Sequence, residues 1–287
     1  MILLIDIGNS RIKWHFQAEQ QPFDAHTQPF AINHHDADWL AQLSHAWSNL
    51  TPPQACFISN VATSARLEQV QQLIHTLFGN INSHIVRPQK HTAHFTLAYD
   101  EVQQMGADRF AQLLGAQAIC SERNHLVISA GTATTIDGVL AHGQHLGGVI
   151  TPSIHLMRTS LHQHTARLPL RGGTFSPNHA PHNTLDALAS GARLARQGAV
   201  LSFVNHYMPD APSHWLLCGG GAELLAEDLA TSAEKHTATI QIVPSLCLLG
   251  VWQFSQSIDN PLSPQSSAEG YSITHQVRQT DSRVKWL

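Results

Sequence analysis

Apolar and polar positions along the chain switch repeatedly between a two-residue and a helical period, and the switches mark strands followed by helices. Residues 1–7 are a run of branched apolar side chains broken once, at Asp6, which predicts a buried strand. Gly8 and Asn9 tolerate positive φ, and Ile12, Trp14 and Phe16 then alternate, so residues 10–16 are predicted to return as the second arm of a hairpin. Residues 17–50 are polar and weakly patterned, with a helix expected over 38–50. Residues 55–61 predict a strand. Residues 64–79 predict a helix carrying Leu67, Val70, Ile74, Leu77 and Phe78 on one face and ending on Gly79. A short strand over 83–86 is stopped by Pro88, and a polar loop then runs from Tyr99 into Gly106-Ala107-Asp108-Arg109 and a helix with Phe110, Leu113 and Leu114 on one face. Residues 125–139 predict a second hairpin and 144–152 a further strand. Helices are expected over 154–168 and 184–207, the second with small residues at Ala187, Gly191, Ala195 and Gly198. A strand ending in Cys218-Gly-Gly-Gly-Ala222 leads to a helix over 223–230, and a last strand and helix follow at 240–243 and 246–254. This alternation predicts an α/β layer architecture. From about residue 257 Ser, Gln, Pro and Asp dominate, which predicts a mobile tail.

The two hairpins repeat one device. Ile5-Asp6-Ile7-Gly8-Asn9-Ser10 aligns with Ile128-Ser129-Ala130-Gly131-Thr132-Ala133: an apolar strand, a polar residue, a glycine turn with a hydrogen-bonding side chain. Two such hairpins predict two similar half-domains facing each other, with a nucleotide's phosphates pinched between their tips. A carboxylate near the end of a buried strand costs several kcal/mol unless compensated, and Mg²⁺ or a set of donors beyond the strand would compensate Asp6; an ordinary hairpin with Asp6 as a turn residue is the plainer alternative. Asp108 falls in the first turn of its helix, where the helix dipole is expected to lower its pKa and keep it ionised. It reads either as a cap or, at a cleft edge, as an acceptor for a hydroxyl proton. The triple glycine allows backbone to approach a flat ring or ribose, or simply tight packing.

Composition narrows the classes. A 287-residue chain is one large domain or two smaller ones, and 43% hydrophobic content is ample for a core. A net charge of −4 leaves no basic footprint, so no nucleic acid is expected as a partner. The 21 histidines are scattered without HExxH spacing; His91/His94, His142/His145 and His162/His164 read as surface or capping residues rather than ligands. Cys56, Cys120, Cys218 and Cys247 form no CxxC pair, which fits a reducing compartment. No signal peptide and no membrane-length apolar run is read, so a cytoplasmic protein with no membrane partner is expected. No Walker A sequence occurs.

The glycine turns, each after a buried strand, resemble the phosphate and adenosine motifs of the superfamily of acetate and sugar kinases, heat-shock chaperones and actin. Within it the chain resembles the type III pantothenate kinase family, through DIGNSRIK (6–13), Tyr99 with GADR (106–109), GTATTID (131–137), HLGGVITPS (145–153), TARLP (165–169), Thr184 with Ala187 and Gly191, and CGGGAELL (218–225). The resemblance implies an α/β fold of two RNase H-like, actin-like domains with mixed sheets flanked by helices, over 1–110 and 111–256, with 257–287 as a polar tail. It implies ATP-dependent phosphorylation of pantothenate to 4′-phosphopantothenate, the first step of coenzyme A biosynthesis, by a cytoplasmic homodimer using Mg-ATP and a monovalent cation, K⁺ or NH₄⁺. Carried over by residue, Asp6, Ile7, Gly8, Asn9, Ser10, Arg11, Ile12, Lys13 and Thr132 contact ATP, with Asp6 also organising Mg²⁺. Asp108 accepts the proton of the pantothenate hydroxyl; Tyr99, Gly106, Ala107, Asp108 and Arg109 line the pantothenate pocket, and Thr184 reaches it from the partner subunit. Val102 and Met105 depart from the family's Pro and Leu, and Ser153 from a frequent Gly. Ser129 stands where the family has the Asp that binds the monovalent cation. That change leaves two arrangements open: a site that fills at higher K⁺, or a fixed cation from Lys13 or Arg109. A non-catalytic regulator that kept the fold, and a kinase of another small hydroxyl compound, are the competing readings.

Overall fold

Branched side chains at consecutive positions bury both faces of the first strand, and the computed structural model, which describes residues 1–258 except 19, 20, 209 and 211, sets that strand in the middle of a sheet. β1 (Ile2–Ile7) pairs antiparallel with β2 (Arg11–Gln17), outside which runs β3 (Phe30–Asn33). On its other edge β1 pairs parallel with β4 (Ala55–Asn60), followed by β5 (Asn82–Ile85). This register sets Asp6 opposite Lys13 on one neighbour and opposite Ser59 on the other. Leu3, Ile5, Ile7, Ile12 and Trp14 turn to one face, covered by α1 (Trp39–Trp47) and α2 (Ser64–Phe78). Thr63 caps α2 by accepting from Arg66 N, and Gly79 ends it at φ 74.

The second sheet is built from β6 (His91–Thr92), β7 (Phe95–Thr96), β8 (His125–Ala130), β9 (Ala133–Leu140), β10 (Gln144–Pro152), β11 (His214–Cys218) and β12 (Thr239–Ile242), in the order β12-β11-β8-β9-β10-β7-β6. β8–β9–β10 is an antiparallel meander, whereas β11 and β12 add in parallel. α3 (Ala107–Ile119) lies between β7 and β8 in the chain; α4 (Ile154–His164), α5 (Thr184–Tyr207), α6 (Ala222–Lys235) and α7 (Leu246–Ile258) follow. Leu126, Ile128 and Ile136 pack with Val200 and Phe203 of α5 and Leu225 and Leu229 of α6.

The remaining faces share one core. Ile2, Leu4 and Phe57 of the first sheet and Val127, Val139 and Leu216 of the second all reach α3 and α7. Those two helices cross at glycines: a Cβ on Gly250 would collide with Ala111 O, and one on Gly115 would lie 2.5 Å from Leu246 O. The close crossing fixes the start of α3, and Asp108 with it, between the sheets.

Three strands were not foreseen. β3 is exposed along most of its length, and β6 and β7 have two residues each, so none carries a readable period. β7 reaches the second sheet through Thr96 opposite Gln144, although it precedes α3 in the chain. α4 ends at His164, short of the expected 168, because Thr165 Oγ1 turns back to Leu161 O and the backbone becomes extended. α6 continues to Lys235, since Ala233 still packs on the core. Helix α7 runs past residue 257, and the expected tail lies from 259 onward outside the described residues. Among the described residues no helix is long and apolar enough to cross a membrane.

Candidate active site

The β1–β2 turn closes with Gly8 N donating to Arg11 O at 3.0 Å, and the β8–β9 turn with Gly131 N donating to Ala133 O at 3.0 Å. The two tips meet: Ser10 Oγ and Thr132 Oγ1 are 2.8 Å apart. The glycine turn after β11 docks on the second hairpin, with Gly221 N donating to Ala130 O at 2.9 Å. Gly219 there has φ +88, and a Cβ on it would lie 2.6 Å from Ala130 O. Tight packing therefore explains Gly219, while Gly220, with open space where a Cβ would point, faces a cleft of about 680 Å³.

That cleft is lined by both tips and by carboxylates from two elements. Asp6 is 6% exposed, and its Oδ1 has no hydrogen-bond partner among the described residues. Burial pushes its pKa up; the Lys13 ammonium, then the Cys247 thiol and Ser59 hydroxyl, pull against that. A buried carboxylate oxygen left without a donor is costly, and one lining a cleft between two glycine turns fits a divalent ion carried on phosphates.

Asp108 sits in the first turn of α3, its Oδ1 accepting from Arg109 N at 2.7 Å. Its pKa is pushed up to about 6, first by burial and then by the negative charge of Asp6, against the pull of the Arg109 N–H and guanidinium. The expectation that the helix dipole would hold this carboxyl low is thus corrected. Desolvation and a second carboxylate outweigh a dipole worth at most about 2 kcal/mol. Gly106 leaves room for the carboxyl, since a Cβ there would lie 2.8 Å from Asp108 Oδ1.

Arg109 lines the same cleft, but its guanidinium is committed. Nε and Nη2 donate to Asp137 Oδ2 and Oδ1 at 3.1 and 2.6 Å, and Nη1 donates to Tyr99 Oη at 2.9 Å. Asp137 also faces His145 Nε2 at 3.1 Å, and Ala98 N donates to His145 Nδ1 at 3.3 Å, which puts the ring proton on Nε2. His145 is 2% exposed, not the surface or capping residue expected from the sequence. Gly148 is required beside it, because a Cβ would collide with the Asp137 carboxyl. Neither Asp137 nor His145 stood out as a functional residue in the sequence. A carboxylate at Asp137 in the mostly buried β9 was the available signal.

Other expected residues divide clearly. Gly8, Asn9, Ser10, Arg11, Lys13, Tyr99, Gly106 and Thr132 line the cleft. The side chains of Ile7 and Ile12 lie in the core under α1 and α2, which leaves only their backbone for a ligand. Ala107 is not among the lining residues, and Thr184 stands exposed at the start of α5, away from its own chain's cleft. Ser129 lines the cleft opposite Cys218 of β11 and hydrogen-bonds its thiol, which burial pushes up to about 11. Cys247, also in the lining, is raised well above the usual thiol range by burial and by Asp6 and Asp108, so both thiols stay protonated at neutral pH. Ser153 caps α4 through Leu156 N, a use for the hydroxyl that glycine lacks. Val102 and Met105 pack onto the core around α3.

Two mixed sheets, paired glycine hairpins across a cleft and a carboxylate at a helix start define an actin-like phosphotransferase. Solved structures agree on the fold: one described as a Baf family transcriptional activator from Campylobacter jejuni (TM-score 0.54, 21% identity, covering 89% of this chain and 96% of that one), and a 2-dehydro-3-deoxygalactonokinase-type protein from Sinorhizobium meliloti (TM-score 0.52, 15%, 89% and 97%). The family model described as type III pantothenate kinase matches residues 2–206. Proteins named type III pantothenate kinase from Azoarcus sp. (strain BH72) and Herminiimonas arsenicoxydans are 35% and 31% identical, over 88% and 85% of this chain and 89% and 100% of their own. The chain belongs to the type III pantothenate kinase family.

Proposed function

We propose that this protein transfers the γ-phosphoryl group of ATP to the primary hydroxyl of pantothenate, forming 4′-phosphopantothenate and ADP as the entry to coenzyme A biosynthesis. The observation that carries the mechanism is the Asp108 carboxyl, raised to about 6 and set in one cleft with Asp6 and both hairpin tips. In this reading Ser10, Thr132 and the backbone of the two tips hold the phosphates, and Lys13 balances their charge. Asp6 would hold Mg²⁺, which when bound would supply neutralisation of charge on the transferring group. Tyr99, Gly106 and Arg109 position pantothenate, the last fixed by Asp137. Asp108 takes the hydroxyl proton as the oxygen bonds to the γ-phosphorus and the bond to the β,γ-bridging oxygen breaks. In this reading the chain forms two RNase H-like halves dividing near residue 110, with the short β6 and β7, at residues 91–96, crossing to pair with the second sheet.

A base with pKa about 6 works only when ionised, so kcat/KM should fall about tenfold per pH unit below that value and level off above it. Because Asp6 is also raised, the apparent value belongs to the pair. A profile flat down to pH 5 would take Asp108 out of the role.

The monovalent cation is a finer question. Ser129 offers a neutral oxygen already shared with Cys218, and Lys13 lies against Asp6 and Cys218. Weak but real K⁺ dependence is the proposal, because a site that loses a formal charge holds a cation less firmly. Ser129→Asp should lower the K⁺ concentration for half-maximal activity, and equal activity of both proteins without K⁺ or NH₄⁺ would reject the idea.

A homodimer with shared sites is supported by α5, which turns Gly191 and Gly198 outward beside Leu194, exposed 53%. Mixing Asp108→Asn and Thr184→Arg protomers should restore part of the lost activity, since one site of the mixed dimer keeps both residues intact. A monomer by light scattering at assay concentration would rule this out.

A further inference from the structure

A second pocket, of about 460 Å³, shares Ala130, Gly131 and Gly221 with the cleft and is otherwise lined by β9, α4, α5, α6 and the loop over residues 170–172. Its lining includes no Asp or Glu but three arginines, Arg158, Arg171 and Arg196, in a chain whose net charge is −4. Arg196 is 4% exposed and stands at the glycine turn, its Nη1 3.3 Å from where a Cβ on Gly221 would be. Its Nη2 donates to Asp228 at 3.0 Å, but that carboxylate also serves Arg193, and Arg196 Nε has no partner among the described residues. Arg158 spends Nη2 on Gly172 O at 2.8 Å and leaves a buried Nε without a partner among the described residues. Thr134, 1% exposed, contributes a hydroxyl that also has no partner among them. The 11-residue helix α4 begins at the same place, with Ile154 and His155 of its first turn in the lining. Its dipole therefore adds to the guanidinium charge.

Buried donors left unpaired are costly, and although Asp228 offsets part of the Arg196 charge, Arg158 and Arg171 bring two further positive charges to a lining that holds no carboxylate. Ile154, Leu170 and Leu224 give the rest of the wall an apolar character. We infer that this pocket is an anion site that takes the phosphate group of an organic phosphate ester, with the ester's apolar body against those three side chains. Because Gly131 and Gly221 form walls of both spaces, an occupant is coupled to the tip that carries Thr132, and so to the donor nucleotide. The phosphate can come from two sources: the nucleotide itself, reaching past Gly131, or a separate ester bound alongside it.

Binding measured directly on the full chain tests this independently of the proposed reaction. Pyrophosphate is titrated by calorimetry into protein saturated with Mg²⁺ and a non-hydrolysable ATP analogue, for the native chain and for Arg158→Gln/Arg171→Gln. Arg158 and Arg171 are not fully buried, and an unchanged thermal midpoint checks that the variant is folded. Pyrophosphate that still binds beside the analogue, and binds the double variant at least about tenfold more weakly, supports the site and assigns it to a separate ester. An analogue that excludes pyrophosphate and itself loses about tenfold in the variant supports the site and assigns it to the nucleotide. Unchanged affinity for both probes in the double variant, or no binding of either, overturns the inference.

Discussion

Asp108→Asn should leave a folded protein that binds nucleotide but turns over about 10²- to 10⁴-fold more slowly, the usual weight of general base catalysis. The substitution is close to isosteric, and the hydrogen bond that Arg109 N makes to Asp108 Oδ1 can be kept by the amide oxygen. What is lost is the ability to take a proton. It also removes a negative charge that now disfavours ionisation of Asp6, so the KM for ATP should stay level or fall while kcat drops. A variant with near-native kcat would remove Asp108 from proton transfer and leave it a helix-start residue.

Asp137→Ala should destabilise the protein by about 3–5 kcal/mol, the cost of leaving a buried charge without its partner. Arg109 is 5% exposed and gives two of its donors to Asp137, which is itself 2% exposed. Removing the carboxylate strands the guanidinium and also takes the partner from His145 Nε2. The thermal midpoint should fall by on the order of 10 °C. Asp137→Asn, which keeps one acceptor oxygen, should lose less. A midpoint unchanged in the Ala variant would mean that Arg109 finds water or another acceptor, and that the pair is not what holds it.

The frame of the fold was legible where side-chain period is strong. Alternation of Ile12, Trp14 and Phe16 gave the first hairpin, and the repeated strand–glycine device gave the second. The span of α5 was read correctly because its hydrophobic face persists from residue 184 to 207 and Asn183 caps it through Asp186 N. What stayed hidden depends on residues far apart in sequence. The raised Asp108 carboxyl reflects Asp6 and burial between two sheets, neither of which its own helix reveals. The pairing of Arg109 with Asp137, and the burial of His145, exist only once β9 and β10 lie beside α3. At Ile7 and Ile12 a contiguous motif suggested eight nucleotide contacts, while strand alternation sends those two side chains into the core and leaves their backbone to face a ligand.

The central claim is that one cleft holds a nucleotide's phosphates and a hydroxyl substrate against Asp108. Coupled measurement of ADP release with Mg-ATP, with and without pantothenate, tests it most directly when the product is identified by phosphorus NMR. The account predicts ADP release that depends on pantothenate, matched one for one by a phosphate monoester on its primary hydroxyl, and slowed together with that product by about 10²- to 10⁴-fold in Asp108→Asn. Release of ADP at the same rate with and without pantothenate, or no turnover under any K⁺ or NH₄⁺ concentration, would contradict it.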